Sequence, residues 1–208
     1  MPAAPEFFNP RADLHVHTRR LPHWQQDRVA VFVTWRLADA LPAETRAQWR
    51  TERETWLLIH PQPWDDKTED AYHTVFSERF DAWLDAGSGR CVLRASDARV
   101  HLNAAFMNRN GLDYDLYAFV VMPNHAHVLF SPREGHSWET IVGVWKSVAA
   151  HRINRALHRH GALWQEESWD RLVRHAQHFA ACLKYIQTNP IRAKLRIDEY
   201  SWFEAPIA

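Results

Sequence analysis

Two histidines stand two apart in MPNHAHVLF, residues 122–130. On a strand, side chains i and i+2 share a face, so His125 and His127 project side by side while Ala126 and Val128 point the other way. Strand rise separates the two imidazoles by about 7 Å, and their tips can lean onto one ion. A second cluster lies in KYIQTNPIRAKL, residues 184–195. Tyr185 and Asn189 are i and i+4 and share a helical face, with His178 on roughly the same stripe. A phenol beside an amide oxygen and two imidazoles suggests one chemistry. The phenol attacks phosphorus, and a divalent ion held by His125, His127 and Asn189 neutralises the charge in flight. Lys184 diverges from Tyr185 by about 100° of helix rotation and is expected to touch a neighbouring phosphate. DLHVHTRR, residues 13–20, carries another His-x-His at His15 and His17. It lies in a polar segment with no strong strand pattern, so strand context is expected to separate the two pairs.

The elements that must position these groups follow from periodicity and punctuation. VAVFVTWRL (29–37) is rich in β-branched and aromatic residues and predicts a strand. Pro42 can open a helix over 43–60, and HPQPWDD breaks it. Further helices are predicted over 68–87, ending at Gly87 and Gly89, and over 96–111, with Ser96 as cap and Gly111 as stop. YDLYAFVVM and HAHVLFS predict a hairpin turning at Pro123-Asn124. A long helix is expected over 137–161, then WQEESW, then a last helix over 170–189 ended near Pro190. The tail from Arg196 is expected to be packing or loop. Together these predict one α+β domain, a central antiparallel sheet with packed helices. Residues 1–18 form an extended N-terminal arm in this reading, and 61–97 an acidic insertion.

Net charge is zero over 208 residues with histidine neutral, but it is unevenly spread. Residues 37–97 hold twelve acidic and seven basic side chains; residues 141–196 hold ten basic and three acidic ones. The basic third is the expected phosphate track and the acidic region is expected to face away from it. Arg152, Arg155 and Arg159, at i, i+3 and i+7, are expected to form a row on one helix face. Arg171, Arg174, Lys184, Arg192 and Lys194 are further DNA-binding candidates, and Trp24, Trp145, Trp164 or Trp169 could stack on unpaired bases. Two unpaired cysteines, Cys91 and Cys182, argue against a disulfide scaffold or a cysteine-rich zinc module. The N-terminus does not have the pattern of a signal peptide, and no apolar stretch approaches a membrane span. A soluble protein of a reducing compartment is expected.

The sequence resembles the single-tyrosine HUH transposases, specifically the REP-associated tyrosine transposases of bacteria. MPNHAHVLF corresponds to the family's MPNHxHxL, YIQTNPIRAKL to YIxxNPxxAxL, and GALWQEESWD (161–170) to GxxWxxxxxD. The opening RRLPHWQQ…VFVTWRL, with Arg20, Pro22, His23, Trp24 and Thr34, is also similar, and the likeness covers roughly residues 19–200. The resemblance implies a ferredoxin-like relative with the HUH endonuclease fold. It implies His125 and His127 as metal ligands, Tyr185 as the catalytic nucleophile, and Asn189 completing the metal site. The implied cofactor is Mg²⁺ or Mn²⁺. The implied substrate is single-stranded DNA beside a palindromic hairpin with a flanking guide sequence, cut and rejoined through a 5′-phosphotyrosine. A bacterial cytoplasmic, nucleoid-associated location and a monomer are expected, with no membrane partner. The competing expectations are a non-catalytic binder of structured single-stranded nucleic acid and a hydrolase in which His178 joins the histidine pair on Zn²⁺. The sequence departs from the family at Glu166 and Glu167, at Lys194 where a glycine is usual, and in its long acidic 61–97 segment.

Overall fold

The computed structural model describes residues 1–13, 15–18, 22–61, 64–166 and 168–206. Arg20 and Glu167 lie outside the described residues, as do the side chains of His15, His17, His23 and Trp24. The chain begins with a two-stranded antiparallel sheet, β1 (His15–Thr18) and β2 (Pro22–Gln25). The N-terminal His-x-His therefore also lies on a strand, which corrects the expectation that strand context separates the two pairs. What separates them is the sheet. His125 and His127 belong to a five-stranded antiparallel sheet of order β6-β3-β5-β4-β7.

That sheet is built from β3 (Val31–Arg36), β4 (Tyr114–Val121), β5 (His125–Pro132), β6 (Trp169–Leu172) and β7 (Ser201–Glu204). Every residue of β4 and β5 is buried, because helices cover both faces. One face carries Val33, Trp35, Ala126, Val128 and Phe130. Against it pack α4 (Ser96–Met107) and α5 (Trp138–Ala156) through Leu102, Phe106, Trp145, Ala149 and Ile153. The other carries Ala30, Phe32, Val120 and Leu129, covered by Phe179, Cys182 and Ile186 of α6 (Ala176–Arg192). Strand alternation puts His125 and His127 on this α6 side.

The acidic segment supplies α1 (Ala43–Ile59), α2 (Asp66–Tyr72) and α3 (Glu78–Asp85). A π-helical stretch, His73–Ser77, joins α2 and α3 within the stretch expected to be a single helix. An aromatic cluster ties these helices to the β6 edge: Trp49 and Phe80 lie edge-on to Trp169 at 4.8 and 5.4 Å between centroids.

Several boundaries differ from expectation. Residues 170–172 form a strand, because the open edge of β3 pairs with them from Val31↔Leu172 to Thr34↔Trp169. The last helix starts at Ala176 instead, where the imidazole of His175 accepts the His178 amide. It continues through Pro190 to Arg192, since a proline in the last turn withdraws only one amide. Ser201–Glu204 is an edge strand against β4. Ser96 is the first helical residue and does not cap; Ala95 occupies the cap position.

The chain leaves both α5 and α6 through a non-glycine residue in left-handed backbone, where a glycine is favoured. After α5 it is His158 (φ 49°), with Arg159 N–H donating to Asn154 O at 2.8 Å. After α6 it is Lys194 (φ 54°), with Leu195 N–H donating to Pro190 O at 2.9 Å. A Cβ in that conformation is strained. Lys194→Gly is expected to stabilise the fold by about 0.5–1 kcal/mol. Thermal melting of the two proteins checks this, and an unchanged or lower melting point would count against it.

Candidate active site

The MPNH turn fixes His125. Leu37 N–H donates to Asn124 O at 2.8 Å, and Leu93 N–H donates to Pro123 O at 3.1 Å. The amide of Asn124 is oriented by its NH₂ group, which donates to Leu84 O at 3.0 Å. Its Oδ1 therefore faces His125 Nδ1 at 2.7 Å. An amide oxygen only accepts, so His125 carries its proton on Nδ1 and leaves Nε2 as a bare lone pair. His127 Nδ1 lies 2.7 Å from the Thr34 hydroxyl, its cross-strand neighbour. Both imidazoles are fully buried, and neither Nε2 has a hydrogen-bond partner. Burial pushes the His125 pKa down to about 3. It pushes His127 well below the usual range too, with His125, Arg171 and Arg192 adding to the effect. At neutral pH both rings are uncharged, and the bare Nε2 of His125 is open to a cation.

α6 delivers Tyr185 and Asn189 to the same place. The Tyr185 ring lies edge-on to His127 at 5.0 Å and to Phe32 at 5.8 Å. Asn189 is fully buried one turn on, and neither Oδ1 nor Nδ2 has a hydrogen-bond partner. An orphaned buried polar atom costs about 1–3 kcal/mol, and this fold carries both histidine Nε2 atoms and the Asn189 amide in that state. Two imidazole nitrogens and an amide oxygen are donor types that could hold a divalent cation. Among the described residues, no group of three or more histidine, cysteine, aspartate or glutamate side chains could hold a metal. His178 does not join the pair as a zinc site, because the three imidazoles do not gather into such a group; its Nδ1 accepts the Arg174 amide at 3.3 Å.

The sequence reading missed Asp81. Its Oδ2 accepts the Tyr185 hydroxyl at 2.5 Å, across 104 residues of chain. The acidic region therefore does not face away from the candidate site; α3 brings a carboxylate onto the tyrosine. Burial raises Asp81 to about 6, against opposing effects of the Tyr185 hydrogen bond, Arg171 and Arg192. Burial and then the Asp81 charge push the Tyr185 phenol well above its usual value. A pocket of about 50 Å³ opens here, lined by Thr34, Asp81, Trp169, Asp170, Arg171 and Tyr185 among others. The available signal was the apolar pair Phe80 and Leu84, which orients one face of α3 inward with Asp81 beside it.

The basic residues divide between the two sides of the sheet. Arg192 places its guanidinium 5.6 Å from the Tyr185 ring centroid, and Arg171 lies 5.7 Å from that of Phe32. Lys184 and Lys194 are exposed and Arg174 is half-buried. Arg152 and Arg155 stand on α5, across the sheet from α6, and Arg159 lies beyond the end of that helix. The expected three-arginine row does not form, because the chain leaves the helix at His158. Trp145 and Trp164 are core residues at 2% and 8% exposure, unable to stack on a base, whereas Trp169 borders the pocket.

This assembly of a strand His-x-His and a helix tyrosine coincides with a family assignment for part of the chain. Residues 94–189 match the family of IS200-like transposases. The match spans α4 to Asn189 and includes His125, His127 and Tyr185; it leaves out α1 to α3 and Asp81. Six solved chains are similar. One is a REP-associated tyrosine transposase bound to a REP hairpin, at 14% identity over 84% of this chain and 74% of that one, with a TM-score of 0.47. Another is a candidate transposase from Deinococcus radiodurans R1, at 17% identity over 79% and 93%, with a TM-score of 0.35. No curated protein matches the chain. No helix among the described residues is long and apolar enough to cross a membrane.

Proposed function

We propose that this protein is a single-tyrosine transesterase of the HUH type. It cuts and rejoins single-stranded DNA beside palindromic hairpins. The observation that carries the reading is the set of unpartnered, buried His125 Nε2, His127 Nε2 and Asn189 Oδ1 beside Tyr185. His125, His127 and Asn189 would hold Mg²⁺ or Mn²⁺, which when bound neutralises a non-bridging phosphate oxygen and orients the scissile phosphate. Tyr185 attacks the phosphorus and remains joined to the 5′-phosphate, releasing a 3′-hydroxyl. The bond energy stays in the phosphotyrosine, so a new 3′-hydroxyl can reverse the step. Arg171 and Arg192 flank the tyrosine and counter the phosphate charge, and Lys184, Arg174 and Lys194 extend the basic track on the α6 side. Arg152, Arg155 and Arg159 lie across the sheet and fall outside it. Trp169 is the stacking candidate beside the pocket.

The test is incubation with labelled, palindrome-bearing single strands and Mn²⁺, followed by a denaturing gel. A band retarded by covalent protein, absent with EDTA, is the expected result. Hairpin binding with no covalent band would refute catalysis and favour a binding protein. Asn124→Ala is expected to lower Mn²⁺ affinity about 10–100-fold, because the His125 tautomer loses its anchor. A calorimetric titration of each protein with Mn²⁺ checks this, and equal affinities would contradict the anchoring role.

A further inference from the structure

We propose that Asp81 is the general base that takes the proton from Tyr185, so that α3 of the acidic segment completes the catalytic centre. This rests on the transesterase reading. A phenol with an ordinary pKa near 10 is a weak nucleophile at neutral pH until something removes its proton. Asp81 Oδ2 is the group already in contact with the tyrosine oxygen, at 2.5 Å, within the reach such a transfer requires. The contact is built: Phe80 and Leu84 anchor α3 in the core at 1% exposure each, and Leu84 O accepts from Asn124. The carboxylate and the histidine pair are thus held by one connected frame. Asp81, at the start of a turn whose next member is Asp85, lies outside the part of the chain that matches the transposase family.

The proton and bonds balance as follows. The Tyr185 oxygen–phosphorus bond forms as the bond from phosphorus to the 3′-oxygen breaks. The tyrosyl proton passes to Asp81, and the departing 3′-oxygen takes a proton from water. Asp81 then returns its proton to solvent. The groups facing Asp81 are Tyr185 and Arg192 from α6, Arg171 and Asp170 from β6, and Asp85 from α3 itself. Burial and the neighbouring Asp85 raise the carboxylate, while the Tyr185 hydrogen bond and the two arginines hold it down. A base near pH 6 is ionised at neutral pH and is a better acceptor than an ordinary aspartate.

The experiment compares single-turnover adduct formation by the wild type, Asp81→Asn, Asp81→Glu and Asp81→Ala from pH 5 to 9, with Mn²⁺ held saturating. Asp81→Asn keeps an oxygen that accepts the tyrosine hydroxyl but cannot take its proton. It is expected to lose about 10²-fold or more in rate. The wild-type rate should fall below about pH 6, as Asp81 protonates, and Asp81→Asn should lose that acidic limb. Asp81→Glu should restore part of the rate and the limb. Hairpin affinity and melting point, read on the same samples, separate a folding defect from a lost base. Wild-type rate and profile in Asp81→Asn would overturn the proposal. Faster cleavage by Asp81→Ala would also overturn it, marking the contact as an occluding latch. If the wild type forms no adduct at any pH, the transesterase reading itself fails.

Discussion

Tyr185→Phe is expected to abolish the covalent adduct while leaving hairpin binding nearly intact. The ring stays in its place against His127 and Phe32, and only the hydroxyl is lost. Removing the nucleophile from a centre that works as a unit costs at least about 10³-fold. The same change takes the donor from Asp81, so a loss of about 1 kcal/mol in stability is expected as well. Cleavage and melting therefore respond very differently, and measuring both separates the catalytic loss from a structural one. An adduct that persists in Tyr185→Phe would contradict the assignment. Among the other tyrosines, Tyr200 lies in the tail just before β7, and three are enclosed. Tyr72, Tyr114 and Tyr117 are buried at 2% exposure or less, and Tyr117 bonds Ser131 at 3.0 Å.

The second large effect is expected at the histidine pair. His125→Ala and His127→Ala should each reduce cleavage by about 10³-fold or more and abolish measurable Mn²⁺ binding, because a divalent ion needs its ligand count. Metal-free stability should suffer less than such buried truncations usually cause. Each removes an Nε2 with no partner, a burden of about 1–3 kcal/mol, and this offsets part of the cavity cost. His15→Ala with His17→Ala should leave Mn²⁺ affinity and cleavage unchanged, since that pair belongs to the separate two-stranded sheet. Losses in the His15 and His17 double variant equal to those of His125→Ala or His127→Ala would show the pairs to be misassigned.

The parts of the site set by local periodicity were legible. A period of two placed His125 and His127 on one face, and a spacing of four placed Tyr185 and Asn189 on another. The α+β class and the β4–β5 hairpin followed from the same alternation. What escaped was non-local. Residues 170–172 have no strand signal of their own; they extend because β3 offers an open edge. Asp81 reaches Tyr185 through tertiary packing of α3, which no local charge count conveys. Arg159 left the arginine row because His158 turns into left-handed backbone, a step that carries no glycine to announce it. Asn124 was read as turn chemistry, and its second use, fixing the His125 tautomer, depends on carbonyls forty residues away.

On the transesterase reading, the covalent bond to DNA forms at the Tyr185 oxygen. Proteolysis of the Mn²⁺-dependent adduct, with mass spectrometry of the DNA-linked peptide, tests it most directly. A 5′-phosphate linked to Tyr185 is expected in the peptide that contains YIQTNP. Linkage to Tyr200, to Tyr117 or to any other side chain would contradict it.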